Sequence, residues 1–204
     1  MLESFLQGVV VGFSIAAPVG PIGLLCIQRT LSSGRVSGLV SGLGAATADA
    51  TYGAVAGFGV TFVSTFLISQ QLWIRLAGGT FLIVLGARIF LSVPKESAEV
   101  AGRRRLTSNY LSTFALTLSN PLTIVAFAAV FAGLGMVGQG GNYSAASALV
   151  LGVFAGSTSW WVILSSGVAA FRGALDPGRM RWINRISGVV IACFGAIAFL
   201  GLVL

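Results

Sequence analysis

Six long apolar stretches, separated by short polar loops, account for most of the chain. Each is close to the roughly 20 residues that a helix needs to cross the hydrocarbon core of a bilayer. The pattern therefore predicts an all-α polytopic membrane protein with six transmembrane helices and no separate soluble domain. The predicted spans are 5–27, 38–63, 74–91, 109–135, 145–171 and 182–204.

The composition and the charge distribution agree with this class. Hydrophobic residues make up 56% of the chain and charged residues 8%, whereas a soluble domain has about 25% charged residues. The net charge of +7 could indicate nucleic-acid binding, but eleven of the twelve Lys and Arg residues lie in or beside loops 1, 3 and 5. Cytoplasmic loops collect basic residues, so these loops are predicted to be cytoplasmic and both termini to lie outside. The eleven are Arg29, Arg35, Arg88, Lys95, Arg103, Arg104, Arg105, Arg172, Arg179, Arg181 and Arg185.

Two of the predicted spans are similar in sequence. WIRLAGGTFLIVLGARIFL (73–91) and WINRISGVVIACFGAIAFL (182–200) are identical at seven of nineteen positions without a gap. Spans 2 and 5 align more weakly, with Gly44 opposite Gly152 and Asp49 opposite Ser157. Because three spans per half is an odd number, the second half must have the opposite orientation, which predicts an inverted repeat within one domain, 1–204. The halves would be 1–92 and 109–204, joined by a basic cytoplasmic linker at 93–108; chance similarity among apolar helices is the alternative.

Proline interrupts the first and fourth predicted spans near mid-length. The segment AAPVGPIG (16–23) contains Pro18, Gly20 and Pro21, and Asn120-Pro121 lies at a comparable depth in span 4. Proline removes a helical hydrogen bond, and unsatisfied backbone in hydrocarbon is costly. Helices 1 and 4 are therefore predicted to be broken where they face protein or a watery cavity, as in the binding sites of secondary transporters. A structural kink is the plainer alternative.

Each break can begin a new half-helix whose first N–H groups are free. Pro21 suits the first position of such a half-helix, and Thr123 would lie near the start of the second. Free N–H groups and the positive end of the helix dipole attract anions. A carboxylate at the membrane centre could therefore interact with both half-helices.

Asp49 is the only ionisable residue deep within a predicted span. An acid at mid-membrane costs about 3 kcal/mol on insertion scales, which makes it a candidate functional group. It could carry a coupling proton or bind the ammonium group of a substrate. Alternatively, it could hold helices together through Tyr52, Thr51 or Asn120.

Residues suited to catalysis or metal binding are scarce. The chain has no His, and Asp49 is its lone deep acid, so no paired carboxylates and no metal cluster are expected within the membrane. The serines of span 5 have no basic partner at that depth, and no enzyme activity, cofactor or metal is predicted. Glycines four residues apart, such as Gly8 and Gly12 or Gly152 and Gly156, are expected to pack helices closely, within one chain or in a homodimer.

Three segments resemble the LysE/RhtB group of bacterial amino-acid exporters, and the likeness extends over nearly the whole chain. They are GFSIAAPVGPIGLLCIQRTLSSGRVSG, GLGAATADATYGAVAGFG and TLSNPLTIVAFAAVF. The family usually has Pro-Gly-Pro where this chain has Pro-Val-Gly-Pro. The resemblance implies an inner-membrane secondary transporter that exports amino acids or close derivatives, driven by the proton-motive force. By motif, it implicates Pro18, Gly20, Pro21, Asp49, Asn120 and Pro121.

These observations together suggest a binding site at mid-membrane, between the two halves. The carboxylate of an amino acid would face the half-helix N-termini near Gly20 and Thr123. Its ammonium group would face Asp49, and a proton taken up from outside would displace it as the halves rock between two states, giving proton antiport with alternating access. Export of another solute such as a metal cation, and a non-transporting scaffold or channel, are the alternatives, and the exported side chain stays open. The other residues predicted to shape the pocket are Tyr52, Ser157 and Trp160.

Overall fold

The computed structural model is all-helical, as the hydrophobic pattern predicts. It describes residues 1–18, 20–58, 70–92, 103–120, 123, 126–127, 143–171 and 177–200. Seven helices and no strand are found within these ranges. The helices are α1 (Leu2–Ala16), α2 (Pro21–Ser33), α3 (Arg35–Gly57), α4 (Gln71–Phe90), α5 (Arg103–Leu118), α6 (Tyr143–Phe171) and α7 (Pro177–Leu200).

Several of the described helices have the length and composition of membrane spans. Tyr143–Phe171 in α6 and Gly178–Ile197 in α7 each satisfy both criteria alone. The pair α1 and α2 satisfies them together, as two helices joined by a bend of 78°. Leu76–Phe90 in α4 is a shorter apolar helix. The fold is that of a multi-pass membrane protein, while the number of six spans stays a prediction because parts of spans 2 and 4 lie outside the described residues.

The bend between α1 and α2 follows from the composition of the segment that joins them. α1 ends at Ala16, and Gly20 has an extended backbone (φ −99°, ψ −163°) just before Pro21 opens α2. Proline fits the start of a helix because the N–H that it lacks would have no helical partner there. A 3.0 Å hydrogen bond from the Gly20 N–H to the Pro18 carbonyl closes the turn. α1 and α2 are therefore two half-helices set at an angle.

α2 and α3 form a hairpin around a single glycine. Gly34 has φ 92° and ψ 166°, a conformation that only glycine adopts readily. A Cβ added at Gly38 would overlap the Thr30 side chain, and Arg29 hydrogen-bonds Ser41. These contacts pair residues at similar distances on either side of Gly34, so α3 runs back along α2.

α3 lies at the centre of the bundle and packs against α2, α5 and α6, while α1 packs along α6 and α4 along α7. The contact between α1 and α6 is a glycine contact. A Cβ added at Gly152 would lie 2.9 Å from the backbone N of Val9 and 3.0 Å from the Cα of Gly8. Such close backbones are what pairs of small residues allow, so the predicted packing role of these glycines is confirmed within one chain.

Several helices extend into segments that the sequence predicts as loops. The placement of Arg29 in the first loop is wrong, because α2 continues through it to Ser33. α5 begins at Arg103, which lies inside the segment predicted as the linker. Arginine is a good helix former, so basic residues at the membrane boundary extend these helices.

Candidate functional site

Asp49 lies on α3 in the interior of the bundle and is 3% exposed. Its Oδ2 accepts a 2.7 Å hydrogen bond from Ser157 Oγ on α6. Ser157 Oγ in turn accepts a 3.1 Å hydrogen bond from Trp161 Nε1. The carboxyl group therefore faces protein, at the end of a chain of donors that begins at the indole.

Small residues make room for this chain of donors. Ala45 and Ala46 lie one turn before the acid on α3, and with Cys26 of α2 they pack against Trp161. A Cβ added at Gly42 would lie 2.6 Å from Trp161 Cγ. A buried indole N–H needs a hydrogen-bond partner, and Ser157, four residues earlier on the same helix, supplies one. Because the indole donates to its oxygen, the Ser157 hydroxyl keeps its own hydrogen for the acid.

The buried carboxyl group has no cationic partner in the described part of the chain. Ser157 is the residue there that hydrogen-bonds it, and no basic side chain pairs with it. An unpaired carboxylate removed from water is costly. A bound proton or the ammonium group of a ligand would relieve that cost, so the site suits either.

Tyr52 lies one turn after Asp49 on α3, and its hydroxyl group does not hydrogen-bond the Asp49 carboxyl group. Its hydroxyl donates a 2.6 Å hydrogen bond to the carbonyl of Leu118, the last residue of α5. Its ring stacks on Phe127 with 5.5 Å between centroids. The last carbonyls of a helix lack helical partners, so Tyr52 satisfies one where predicted helix 4 stops. The sequence suggested Tyr52 as a partner of Asp49, whereas its hydroxyl serves α5.

The first helix break presents an uncapped half-helix. Gly20 and Pro21 are partly buried and Pro18 is exposed, and no side chain caps the N-terminus of α2. The first N–H groups of a helix have no partner within it. A Cβ added at Gly20 would meet no described atom within 4 Å beyond its chain neighbours. Among the described residues, the N-terminus of α2 therefore has space beside it.

The second predicted break is described only in part. α5 ends at Leu118, and the Asn120 N–H bonds the Thr117 carbonyl at 3.2 Å. Thr123 is 8% exposed, and its N–H bonds the Asn120 carbonyl at 3.1 Å. Pro121 lies outside the described residues.

The ends of α1 and α5 approach the same part of the core. Ile15, next to the end of α1, and Leu118 both pack against one buried apolar cluster. The cluster consists of Val11, Tyr52, Phe127, Leu149 and Val153. The structure thus brings the two places where predicted helices 1 and 4 stop to one apolar cluster, which includes Tyr52, one turn after Asp49 on α3.

One aromatic residue of the site escaped the sequence reasoning. Trp160, which the sequence favoured, is partly buried and makes an edge contact with Phe13 of α1, 5.5 Å between centroids. Its neighbour Trp161 is the residue that contacts Ser157. The signal that could have found it is the four-residue spacing from Ser157, which places two side chains on one face of a helix.

Two grooves on the described surface lie away from Asp49. One, of about 660 Å³, runs along α1, and another, of about 570 Å³, runs along α4. Both are lined mainly by apolar side chains. Among the described residues, no group of three or more His, Cys, Asp or Glu is placed to hold a metal ion.

Comparisons with known proteins give one family and one similar protein. The family described as "LysE type translocator" matches residues 13–201. The chain is 28% identical over 198 residues to a Bacillus subtilis (strain 168) protein named "Putative amino acid efflux protein YcgF", covering 95% of this chain and 94% of that protein. No solved structure matches the chain.

Proposed function

The chain belongs to the LysE type translocator family, and on this premise we propose that it exports amino acids, or close derivatives, from the cytoplasm in exchange for protons. A relative similar over nearly its whole length carries an amino acid efflux name, which supports this cargo class. The observation that carries the proposal for this chain is the buried Asp49 carboxyl group, which is hydrogen-bonded to Ser157 and has no basic partner among the described residues.

Asp49 is the proposed exchange point between cargo and proton. Its Oδ2 is held by Ser157, and no described side chain is bonded to Oδ1, which leaves that atom for an ammonium hydrogen or a proton. One carboxyl group cannot pair fully with both at once, so binding one favours release of the other. In an antiporter, such competition couples the binding of the cargo to the release of the proton.

The carboxylate of the cargo is proposed to bind at the uncapped N-terminus of α2. The N–H groups of Ile22 and Gly23 belong to the first turn of that half-helix, and anions bind at such ends. The space beside Gly20 would admit the cargo. Thr123 and Asn120 are the proposed counterparts from the second half, with Tyr52 and Trp160 as walls.

Alternating access is proposed to arise from two inverted halves, and the packing contacts support such a two-fold relation. Gly44 on α3 and Gly152 on α6 are aligned in the repeat. A Cβ added at either glycine would lie close to a carbonyl oxygen of a neighbouring helix and to the backbone N four residues after that carbonyl. Those partners are Tyr110 and Phe114 of α5 for Gly44, and Phe5 and Val9 of α1 for Gly152.

The contact between α4 and α7 follows the same relation. Gly79 aligns with Gly188 and Gly86 with Gly195 in the repeat. A Cβ added at Gly86 would lie 2.5 Å from the Gly188 carbonyl oxygen, and one at Gly195 would lie 2.7 Å from the Gly79 carbonyl oxygen. Two helices related by a two-fold axis contact each other in this reciprocal way. Rocking of such halves about a central site is the usual route to alternating access.

An export screen tests the cargo class. Bacterial cells with and without the protein are loaded with dipeptides, and the medium is assayed for every amino acid. Faster appearance of one or more amino acids in the cells that carry the protein is expected. If none appears faster, the proposed function is wrong.

A pair of serine variants on α6 tests the site within the same screen. Ser157→Ala removes the hydrogen bond to Asp49, whereas Ser159→Ala removes a bond from an exposed hydroxyl to the Ala155 carbonyl. Hydrogen bonds to charged groups are worth about 1.5–3 kcal/mol, so Ser157→Ala is expected to slow export by about 10- to 100-fold. Ser159→Ala should export normally, and equal rates for the two variants would show that the hydrogen bond from Ser157 to Asp49 plays no part in export.

A further inference from the structure

Arg29, which is partly buried, forms a second polar centre that the Asp49 site does not use. Its Nη1 donates to Ser41 Oγ at 2.9 Å, to the Asn109 carbonyl at 2.9 Å and to Thr113 Oγ1 at 2.8 Å. Its Nη2 donates to Ser112 Oγ at 2.8 Å. Ser41 and Thr113 are fully buried, so this guanidinium lies at a junction of α2, α3 and α5.

Every acceptor around Arg29 is neutral. The hydroxyl hydrogens of Ser41, Ser112 and Thr113 are given to backbone carbonyls of their own helices, which leaves lone pairs for the guanidinium. Of the two acids in the described part of the chain, Glu3 and Asp49, neither contacts Arg29. A charge removed from water without a counter-charge is costly even when it is hydrogen-bonded. The site therefore lacks a negative partner among the residues described.

Unused donors remain at this centre. A guanidinium has five N–H groups, and those on Nε and one on Nη2 have no acceptor among the described residues. Asn109 is 8% exposed, and its Nδ2 is buried without a hydrogen-bond partner in that same set. A buried amide donor on the residue whose carbonyl already binds the guanidinium is a second indication of a missing acceptor.

The position of this centre relates it to the path of the cargo. Ser41 precedes Asp49 by eight residues on α3, which is about 12 Å at the helical rise. Arg29 therefore lies about two turns from the acid, toward the Gly34 turn, the side that the basic residues predict to be cytoplasmic. The donor atoms there would meet a cargo molecule before it reached Asp49.

We propose that Arg29 and Asn109 form a subsite for the α-carboxylate of the amino acid on the cytoplasmic side of the Asp49 site. The proposal rests on the proposed amino-acid export. A guanidinium binds a carboxylate through paired N–H groups, and the Asn109 amide adds a third donor. The cargo thus has two carboxylate positions along its path, one at Arg29 and one at the N-terminus of α2.

The quantity measured is the ratio of two binding affinities, that for an amino acid and that for its carboxamide. The full-length protein is placed in lipid nanodiscs and titrated with each of the twenty L-amino acids, and for every one that binds, with the corresponding carboxamide. The wild type is expected to bind the acid at least 10-fold more tightly than the amide. Arg29→Gln is expected to lower this ratio several-fold, and the N-terminus of α2 accounts for the preference that remains. A residue that only joined helices would change stability and leave this ratio unaltered.

Two further variants keep the test decisive. Arg105→Gln is the matched control, because Arg105 also joins α5 to α2, through Ser33 Oγ at 2.6 Å, but is exposed; it should keep the wild-type ratio. Ser112→Asp supplies Arg29 with an internal carboxylate, and it should raise the thermal midpoint of unfolding while lowering the preference for the acid as far as is expected for Arg29→Gln. Ser112→Asp therefore tests the Arg29 subsite even when Arg29→Gln does not fold.

The outcomes separate this proposal from the one on which it rests. If the wild type binds no amino acid, amino-acid export itself is overturned. If the wild type binds amino acids but does not prefer them over the amides, both carboxylate positions are overturned, while amino-acid export is not. If Arg29→Gln or Ser112→Asp keeps the wild-type ratio, only the Arg29 subsite is overturned.

Discussion

Replacing Gly152 by alanine is a direct test of the packing between α1 and α6. The added methyl group would overlap the Phe5 carbonyl oxygen and lie 2.9 Å from the Val9 backbone N. Backbone atoms cannot swing aside as the end of a side chain can, so the helices must separate. Overpacking typically costs 1–3 kcal/mol, and we expect Gly152→Ala to lower the free energy of unfolding by about 2–3 kcal/mol.

The same helix provides the matched control. Gly167 lies on α6, and a methyl group added there would meet no described atom within 4 Å, so Gly167→Ala encounters no steric obstacle. Alanine is favoured over glycine in a helix by roughly 0.5–1 kcal/mol, so this variant should have a higher free energy of unfolding than the wild type. Gly152→Ala and Gly167→Ala, which each add one methyl group to the same helix, are thus predicted to change the free energy of unfolding in opposite directions.

The assay is unfolding in mixed detergent and SDS micelles, followed by circular dichroism. Gly8→Ala and the double variant complete a cycle, because a Cβ at Gly8 would lie 3.0 Å from the Cα of Gly152. The effects of substitutions at two residues in contact do not add. The double variant should therefore lose less free energy of unfolding than the sum of the losses of the single variants. Equal stabilities of Gly152→Ala and Gly167→Ala would refute the close glycine contact.

Two other predictions concern the helix breaks. Gly20→Ala should leave the free energy of unfolding within about 0.5 kcal/mol of wild type, because a Cβ there meets no described atom within 4 Å beyond its chain neighbours. Export should nonetheless slow at least several-fold, because the methyl group occupies the proposed cargo space. Unchanged export would argue against a carboxylate site there. Tyr52→Phe should destabilise the protein by about 1–2 kcal/mol, because it leaves the Leu118 carbonyl without its donor; a thermal midpoint equal to that of wild type would contradict this.

The features that sequence could predict are those with a local cause. Proline and glycine at 18–21 predict a helix break from backbone chemistry alone, and the structure has α1 and α2 meeting there at 78°. Asp49 is conspicuous because it is the one ionisable residue deep in an apolar stretch. The repeat alignment placed it opposite Ser157, and these two side chains are in contact.

The features that sequence missed depend on partners far away in the chain. The sequence places Arg29 in the first loop, because its acceptors Ser112 and Thr113 lie more than eighty positions later and no local pattern predicts that contact. The Tyr52 hydroxyl is likewise directed by the end of α5, 66 positions away. Which of two adjacent tryptophans faces Asp49 depends on the rotation of α6 against α3, which small residues on α3 decide.

Proton-coupled transport by the purified protein tests the central claim most directly. Proteoliposomes with an imposed pH gradient are supplied with the amino acid that the export screen identifies, and movement of the amino acid and of protons is followed together, with Ser159→Ala as the reference variant. Wild type and Ser159→Ala are expected to move the amino acid against its concentration gradient as protons flow the other way. Asp49→Asn is predicted to abolish this uphill movement. Uphill transport by Asp49→Asn at the wild-type rate would contradict the account.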